Sequence, residues 1–203
     1  MSLTGTSKPT PPAPFPRQGM GAILREILRF LEKRRLVALV SSMVSPETRA
    51  LMLKPPWPLS WLSAKPVEEI ETAVFSLLGR TGALELGLEL GRTVGGTLVQ
   101  PLLKTALQLF GSSPATVFGH LDRFFSVSTR GMSFNFRSID NLTGVVDMSF
   151  TGPDVPVATL HVLQGTLQYV FEVTGCEGDV GDPEIVLRTA LGTSVAYQIR
   201  LRP

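Results

Sequence analysis

The sequence predicts an α+β protein in which an N-terminal helical layer packs on a four-stranded antiparallel sheet of order ββαββ. Up to about residue 128, apolar residues recur at helical spacing. From residue 132 the period changes to two in a pair of segments, a helical segment follows, and a second period-two pair closes the chain. With 203 residues, 43% of them hydrophobic and 18% charged, the chain is long enough to bury one core.

The chain divides into a leader and one domain. Residues 1–19 are rich in proline, which bars helices and strand ladders, so this leader is predicted to be disordered. Residues 20–203 are predicted to form a single α+β domain, helical over 20–128 and ββαββ over 129–203. Neither a signal peptide nor an apolar stretch long enough for a transmembrane segment is visible, which predicts a cytoplasmic protein.

The first helical segment, from Gly21 to Val40, is amphipathic and basic. Its basic face could touch an acidic partner or a membrane surface, although a solvated face is the commoner outcome. The net charge of +2 is too small for a nucleic-acid binder that relies on phosphate neutralisation. The candidate basic partner surface consists of Arg25, Arg29 and Lys33.

Further helices follow at capping signals. Ser45 and Pro46 begin one helix, and Pro66 begins another that stops at Gly79. The next helical segment carries glycines at four-residue spacing, which lets two helices approach closely, either within a monomer or across a dimer. Its "GRTVGG" lacks the Lys and the preceding strand of a phosphate loop. The candidate positions for dimer or helix packing are Gly87, Gly91 and Gly95.

Two hairpins and a connecting helix form the C-terminal half. The first hairpin turns at "DNLTG", and the second turns at "LGT" and ends near Leu201. The helix between them is predicted to end at Gly175, a suitable left-handed stop. Large apolar side chains of this half could line a pocket between sheet and helices, or they could fill an ordinary core. The candidate pocket residues are Phe134, Phe136, Met148, Phe150 and Phe171.

The order of these elements resembles a known group of proteins. The stretches "ALELGLELGRTVGGTL", "LQLFGSSPATVFGHLDRFF", "MSFNFRSIDNLTGVVDMSF", "LHVLQGTLQYVFEVTGC" and "TSVAYQIRL" are similar to a myxobacterial paralogous family of unknown function. That family is related to the four-vinyl reductase sensor domain and, more remotely, to the heme–nitric-oxide-binding and TRAPP Bet3-like fold. The resemblance implies a scaffold that dimerises through its helical part and engages proteins or apolar ligands.

The resemblance supports no cofactor. Heme binding in the distant relatives needs an axial histidine and a Tyr-x-Ser-x-Arg cluster, and neither Tyr169 nor Tyr197 is followed by that pattern. The cysteine-based zinc site of four-vinyl reductase sensors cannot be built from Cys176 alone. We therefore predict neither a cofactor nor a metal.

No catalytic set is visible either. His161 and Cys176 lie at opposite ends of one helix, about 22 Å apart at 1.5 Å per residue. We interpret His120 as a structural histidine. Acidic residues such as Glu68, Glu69, Glu71 or Asp122 could form a carboxylate dyad, but the helix dipole alone favours acidic residues at a helix start. We expect no catalytic residues and no enzyme activity.

Two functional hypotheses remain. In the first, the protein is a non-catalytic regulatory or interaction module, a homodimeric scaffold with an unidentified protein partner. In the alternative, it is a sensor domain that binds a hydrophobic small molecule or lipid in a pocket between sheet and helices. The sequence favours the first.

Overall fold

The computed structural model describes residues 16–94, 113–152 and 154–202. In these segments the chain forms seven α-helices and two antiparallel sheets. The helices are α1 (Gly21–Lys33), α2 (Val37–Met43), α3 (Pro46–Leu53), α4 (Lys65–Leu90), α5 (Pro114–Phe118), α6 (Leu121–Phe125) and α7 (Val157–Thr174). The strands are β1 (Gln18–Met20), β2 (Trp61–Ser63), β3 (Thr129–Arg130), β4 (Met132–Ser138), β5 (Thr143–Thr151), β6 (Gly178–Val180), β7 (Glu184–Arg188) and β8 (Gly192–Leu201).

The predicted α+β class is confirmed, but the predicted sheet is wrong. A five-stranded sheet replaces the four-stranded one, and a separate three-stranded sheet of order β2-β1-β3 accompanies it. In this small sheet Gln18 pairs with Ser63, and Gly19 pairs with Thr129. Strand β1 thus occupies the end of the predicted leader, whose residues 1–15 lie outside the described part of the chain.

The five-stranded sheet contains both predicted hairpins. Its order is β4-β5-β8-β6, and β7 pairs with β8 beside β6 on the same edge. The first hairpin closes at Asp140, whose Oδ1 accepts from the backbone N–H of Leu142 at 2.8 Å and of Thr143 at 2.7 Å. The fifth strand, β6, has three residues, too few to show a period of two in the sequence.

Helix α7 is the central element because it packs against the sheet on one side and against α4 on the other. It ends at Gly175, which has the left-handed φ of 68° that a glycine cap permits. Close approach to α4 requires glycines: a Cβ on Gly87 would lie 1.8 Å from the carbonyl oxygen of Val162, and one on Gly165 2.1 Å from that of Leu84. A bulkier residue at either position would force the two helices apart.

The N-terminal helices form a second core around α4. Helix α1 ends at Lys33, and a left-handed Arg35 (φ 59°) separates it from α2, so the predicted segment from Gly21 to Val40 is two helices. Helix α4 is bent at Gly79, where the sequence predicts a stop. Fully buried Leu24, Ile27 and Leu31 of α1 pack in this core with α4. No helix among the described residues is long and apolar enough to span a membrane.

Candidate functional site

A cavity of about 160 Å³ lies where α4, α6 and α7 meet strand β1. Most of its wall is apolar. Helix α7 contributes one continuous face, with Val162 and Leu163 among its lining residues, while Val67 and Leu90 come from α4 and Phe124 from α6. The close contact of α4 and α7 at their glycines fixes the two helices, and the cavity opens beside that contact.

Glu71 of α4 is the buried acid in this wall. Its side chain is 4% exposed, and the hydroxyl of Thr159 in the first turn of α7 donates to its Oε2 at 2.5 Å. Burial raises the pKa of Glu71 to about 8; the Thr159 hydrogen bond opposes this shift and the nearby Glu68 carboxylate adds to it. At neutral pH the wall therefore carries a carboxylic acid in its uncharged form.

Sequence analysis assigned Glu71 to the acidic start of a helix. The structure places it seven residues inside α4, on the inward face between Val67 and Val74. The spacing in the sequence could have shown this position, because residues 67, 71 and 74 follow the helical repeat of one face. An acid on that apolar stripe indicates a buried carboxyl better than it indicates a solvated helix end.

A partly buried ion pair borders the cavity next to Glu71. Arg17 donates through Nε to Glu68 Oε1 at 2.8 Å and through Nη2 to Glu68 Oε2 at 3.2 Å. It also donates to the carbonyl oxygens of Thr151 at 2.6 Å and Asp154 at 2.7 Å. With four of its five N–H groups so used, Arg17 ties the chain before β1 to β5 and to the start of α7, and it is charge-balanced by Glu68.

The backbone beside the cavity departs from the α-helical pattern. Residues 91–94, which follow α4, form a π-helical turn, and Gly91 and Val94 of this turn line the cavity. A Cβ on Gly91 would lie 2.6 Å from the Cβ of Tyr169, so glycine is required for α7 to pass here. Such turns are frequent at functional sites.

The predicted pocket residues are mostly elsewhere. Phe150 lines the cavity, whereas Phe134, Met148 and Phe171 are buried in the core between the sheet and α7. Phe136 stacks on the ring of Phe118, with ring centroids 5.4 Å apart. Most of the aromatic face of the hairpin therefore fills a core, and the cavity lies at the edge of this core, between α7 and α4.

The glycines predicted for helix packing lie against the same chain. Gly87 and Gly91 face α7, and Gly95 lies outside the described residues. The predicted basic surface is engaged in local contacts. Its three side chains bind nearby acceptors: Arg25 donates to Pro56 O at 2.8 Å, Arg29 pairs with Glu26, and Lys33 pairs with Glu89 at 3.2 Å.

The residue types of catalysis are dispersed. Nδ1 of His120 is 2.8 Å from the carbonyl oxygen of Thr116, while His161 stacks on Phe75 and contacts Gln164. Cys176 is exposed after the end of α7. Over residues 16–94, 113–152 and 154–202, no three His, Cys, Asp or Glu side chains are grouped as metal ligands.

The fold has known counterparts. Fe(II) unliganded H-NOX protein from K. algicida matches with a TM-score of 0.68 at 11% identity, over 91% of this chain and 97% of that one. A variant of the same protein has a TM-score of 0.66 at 12% identity, with the same coverage. An H-NOX variant from T. tengcongensis has a TM-score of 0.57 at 11% identity, covering 91% and 98%. A scan against protein-family models finds no match, and a search of curated proteins finds none.

These structures show which branch of the predicted resemblance the fold supports. The chain has the fold of H-NOX proteins, which the sequence analysis gave as the more remote branch of its resemblance. The four-vinyl reductase and TRAPP Bet3-like branches gain no support. At identities of 11–12% the likeness concerns the fold alone.

Because similar structures are described by their heme, we tested whether heme fits here. Neither of the two histidines, His120 and His161, lines the cavity. Tyr169 and Met132, whose side-chain types can also hold heme iron, do border it. The described wall offers no histidine to the iron, and its cation, Arg17, is already paired with Glu68, so no described cation of the wall remains for the heme propionates. The described residues do not fit heme.

Proposed function

We propose that this protein is a ligand-sensing domain that binds a small, mainly apolar molecule in the cavity between α4 and α7. The cavity itself is the observation that carries the proposal. Most of its wall is apolar and it includes one neutral, hydrogen-bonding acid, which is the usual composition of a small-molecule site. The fold supports the proposal, since similar H-NOX structures are described by the heme that they contain.

Size defines the ligand class. A cavity of about 150 Å³ engineered into another protein stays dry and binds benzene or xenon. The cavity here, at about 160 Å³, is matched to a single six-membered ring or a comparably short chain. Lipids with long acyl chains are too large, so the proposal narrows the predicted hydrophobic ligand to a small one.

The cavity also offers a way for binding to be sensed. It is bounded by several separate elements, among them α4, α6, α7 and β1, which a ligand would hold together by filling the space between them. A ligand that binds only the folded state at 100 times its Kd stabilises that state by about 2.7 kcal/mol. The proposal needs no homodimer, because Gly87 and Gly91 pack within the chain.

Ligand binding can be tested with benzene-sized probes. We expect toluene to raise the Tm and to bind with a measurable Kd by calorimetry. Val162→Leu, which adds a methylene inside the cavity, should weaken binding at least tenfold. Val145→Leu makes the same change at a buried valine that does not line the cavity, and it should leave the Kd unchanged.

Two results would contradict the proposal. One is the absence of any Tm shift or heat of binding with toluene up to its solubility. The other is equal weakening of binding by Val162→Leu and Val145→Leu, which would show that the probe binds elsewhere or responds to stability alone.

A further inference from the structure

We infer that Glu71 is the recognition group of the cavity and selects a small neutral ligand with a hydrogen-bond-accepting oxygen, such as an alcohol, ketone or aldehyde on an apolar body. This inference rests on the proposed function, because it assigns the chemistry of the ligand in the same cavity. It depends on the two oxygens of the Glu71 carboxyl, which have different surroundings.

One oxygen of Glu71 is held by the protein and the other is not. Oε2 accepts from Thr159, whereas no hydrogen bond reaches Oε1 from the described residues. The part of the chain that the structure describes has a single sealed, unpartnered side-chain polar atom, Ser133 Oγ. Glu71 Oε1 is therefore not sealed in protein, and the open space beside this residue is the cavity.

Thr159 determines which oxygen can donate. Thr159 has no other acceptor for its O–H among the described residues, so its hydroxyl donates to Oε2 and the acid proton of neutral Glu71 is left on Oε1. An O–H group at the wall of an apolar space needs an acceptor, because an unmade hydrogen bond there is costly. A ligand oxygen beside Oε1 would supply that acceptor, with the apolar body of the ligand against Val162 and Leu163.

The charges around the cavity exclude anionic ligands. Among the described lining residues, the ionisable groups with a charge at neutral pH are Arg17 and Glu68, which neutralise each other. Arg17 has four of its five donors occupied, so it offers no site to a carboxylate. Burial raises the pKa of the Tyr169 hydroxyl, which stays neutral.

A cationic amine is disfavoured by the support around Glu71. An amine would require the ionised carboxylate, and stabilising a buried carboxylate takes two or three hydrogen-bond donors. Among the described residues Thr159 is the single donor to Glu71. A neutral oxygen acceptor uses the acid in the form it already has.

The test compares four probes of similar size on three proteins. Toluene, benzyl alcohol, benzylamine and benzoate differ at one substituent of the same ring. Their Kd values are measured by calorimetry at pH 6.5 with the wild type, Glu71→Gln and Glu71→Leu. Gln can still donate a hydrogen bond from this position and Leu cannot, and both remove a buried acid, so both variants should fold.

We expect the wild type to bind benzyl alcohol about tenfold more tightly than toluene, and to bind benzoate at least tenfold more weakly than either. Glu71→Gln should keep the preference for the alcohol within threefold. Glu71→Leu should lose that preference, so that its Kd values for toluene and benzyl alcohol agree within threefold.

The alternative outcomes separate the two proposals. Binding of toluene with no preference for the alcohol, or with a preference that survives in Glu71→Leu, overturns the role of Glu71 and leaves the proposed function standing. Tightest binding of benzylamine, lost in Glu71→Gln, overturns the neutral-ligand inference in favour of a cation. Failure of all four probes to bind overturns both proposals.

Discussion

Each side of α7 contains a buried polar group, and the two groups differ in their packing and hydrogen bonding. On the sheet side, Tyr197 is fully buried among close-packed side chains, and its hydroxyl donates to the carbonyl oxygen of Leu160 at 2.9 Å. On the α4 side, Glu71 is almost as deeply buried, but one of its oxygens has no described partner and faces an open space. The sheet side of α7 is a packed core in which its polar group is hydrogen-bonded, whereas the α4 side leaves an open space and an oxygen without a described partner.

This difference teaches where to look for a ligand in a protein rich in apolar residues. Large aromatic side chains favour close packing, so the core around Phe134 and Phe171 leaves no room. Valines, glycines and threonines at the α4–α7 contact set the backbones at fixed distances and leave space beside them. A polar group that lacks a hydrogen-bond partner beside that space indicates a ligand-binding site better than a high aromatic content does.

The largest expected effect breaks the contact that fixes the cavity. A methyl group in Gly165→Ala would lie 2.1 Å from the carbonyl oxygen of Leu84, so α4 and α7 must separate. We expect the free energy of unfolding, measured in urea, to fall by about 3 to 5 kcal/mol. In Gly119→Ala the nearest atom is 3.3 Å away, and the change should stay within about 1 kcal/mol. Equal losses in both variants would contradict the close contact of the helices.

Truncating leucines compares the two sides of α7 directly. Leu167 is fully buried in the sheet-side core, whereas Leu163 lines the cavity. Leu167→Ala should cost about 3 to 4 kcal/mol in urea unfolding, because it creates a void. Leu163→Ala should cost at least about 1 kcal/mol less, since this side chain already lacks contacts on one side. A larger loss for Leu163→Ala would indicate that the cavity is closed in solution.

The pH dependence of stability should report Glu71. Its folded-state pKa of about 8 lies above the unfolded value near 4.5, so the folded state binds more protons between these values. Stability from this group is fully present below the unfolded pKa and is lost as the pH rises towards 8. Between pH 5.5 and 7.5 the wild type should lose about 2 kcal/mol relative to Glu71→Gln.

The matched control for this titration is Glu177→Gln, at an exposed carboxylate. It should follow the wild-type pH profile in urea unfolding. If Glu71→Gln also follows the wild-type profile, Glu71 ionises normally and its carboxyl is hydrated rather than buried.

The smallest expected change in stability concerns Tyr197, the buried polar group that has its hydrogen bond. Tyr197→Phe removes the hydrogen bond to Leu160 and should lower the free energy of unfolding by about 1 kcal/mol. Tyr169→Phe, at a partly exposed ring, should change it by less than about 0.5 kcal/mol. A neutral Tyr197→Phe would show that the sheet-side core is less complete than its contacts indicate.

Local patterns in the sequence predict the elements whose contacts are local. The β4–β5 hairpin follows from alternation around a turn that Asp140 closes, and the end of α7 follows from Gly175. The three-stranded sheet is different, because its strands have two or three residues and are distant in sequence: β1 pairs with β2 across more than forty positions and with β3 across more than a hundred. Such short strands carry no period, so the sequence could not show them.

The cavity was hidden for a related reason. It is a space between elements, and its volume depends on how far Gly87 and Gly165 let α4 and α7 approach. The sequence could show that these glycines favour close packing, but not which helix lies opposite. The burial of Glu71 could have been predicted, since its spacing from Val67 and Val74 placed an acid on an apolar stripe.

Methyl NMR under xenon pressure tests the central claim, an open apolar cavity on the α4 side of α7, most directly. Xenon fills dry cavities of this size without needing a hydrogen bond. The account predicts saturable shifts of the Val162 and Leu163 methyl signals, while those of Leu160 and Leu167 on the sheet side stay in place. Unchanged Val162 and Leu163 signals, or equal shifts on both sides of α7, would contradict it.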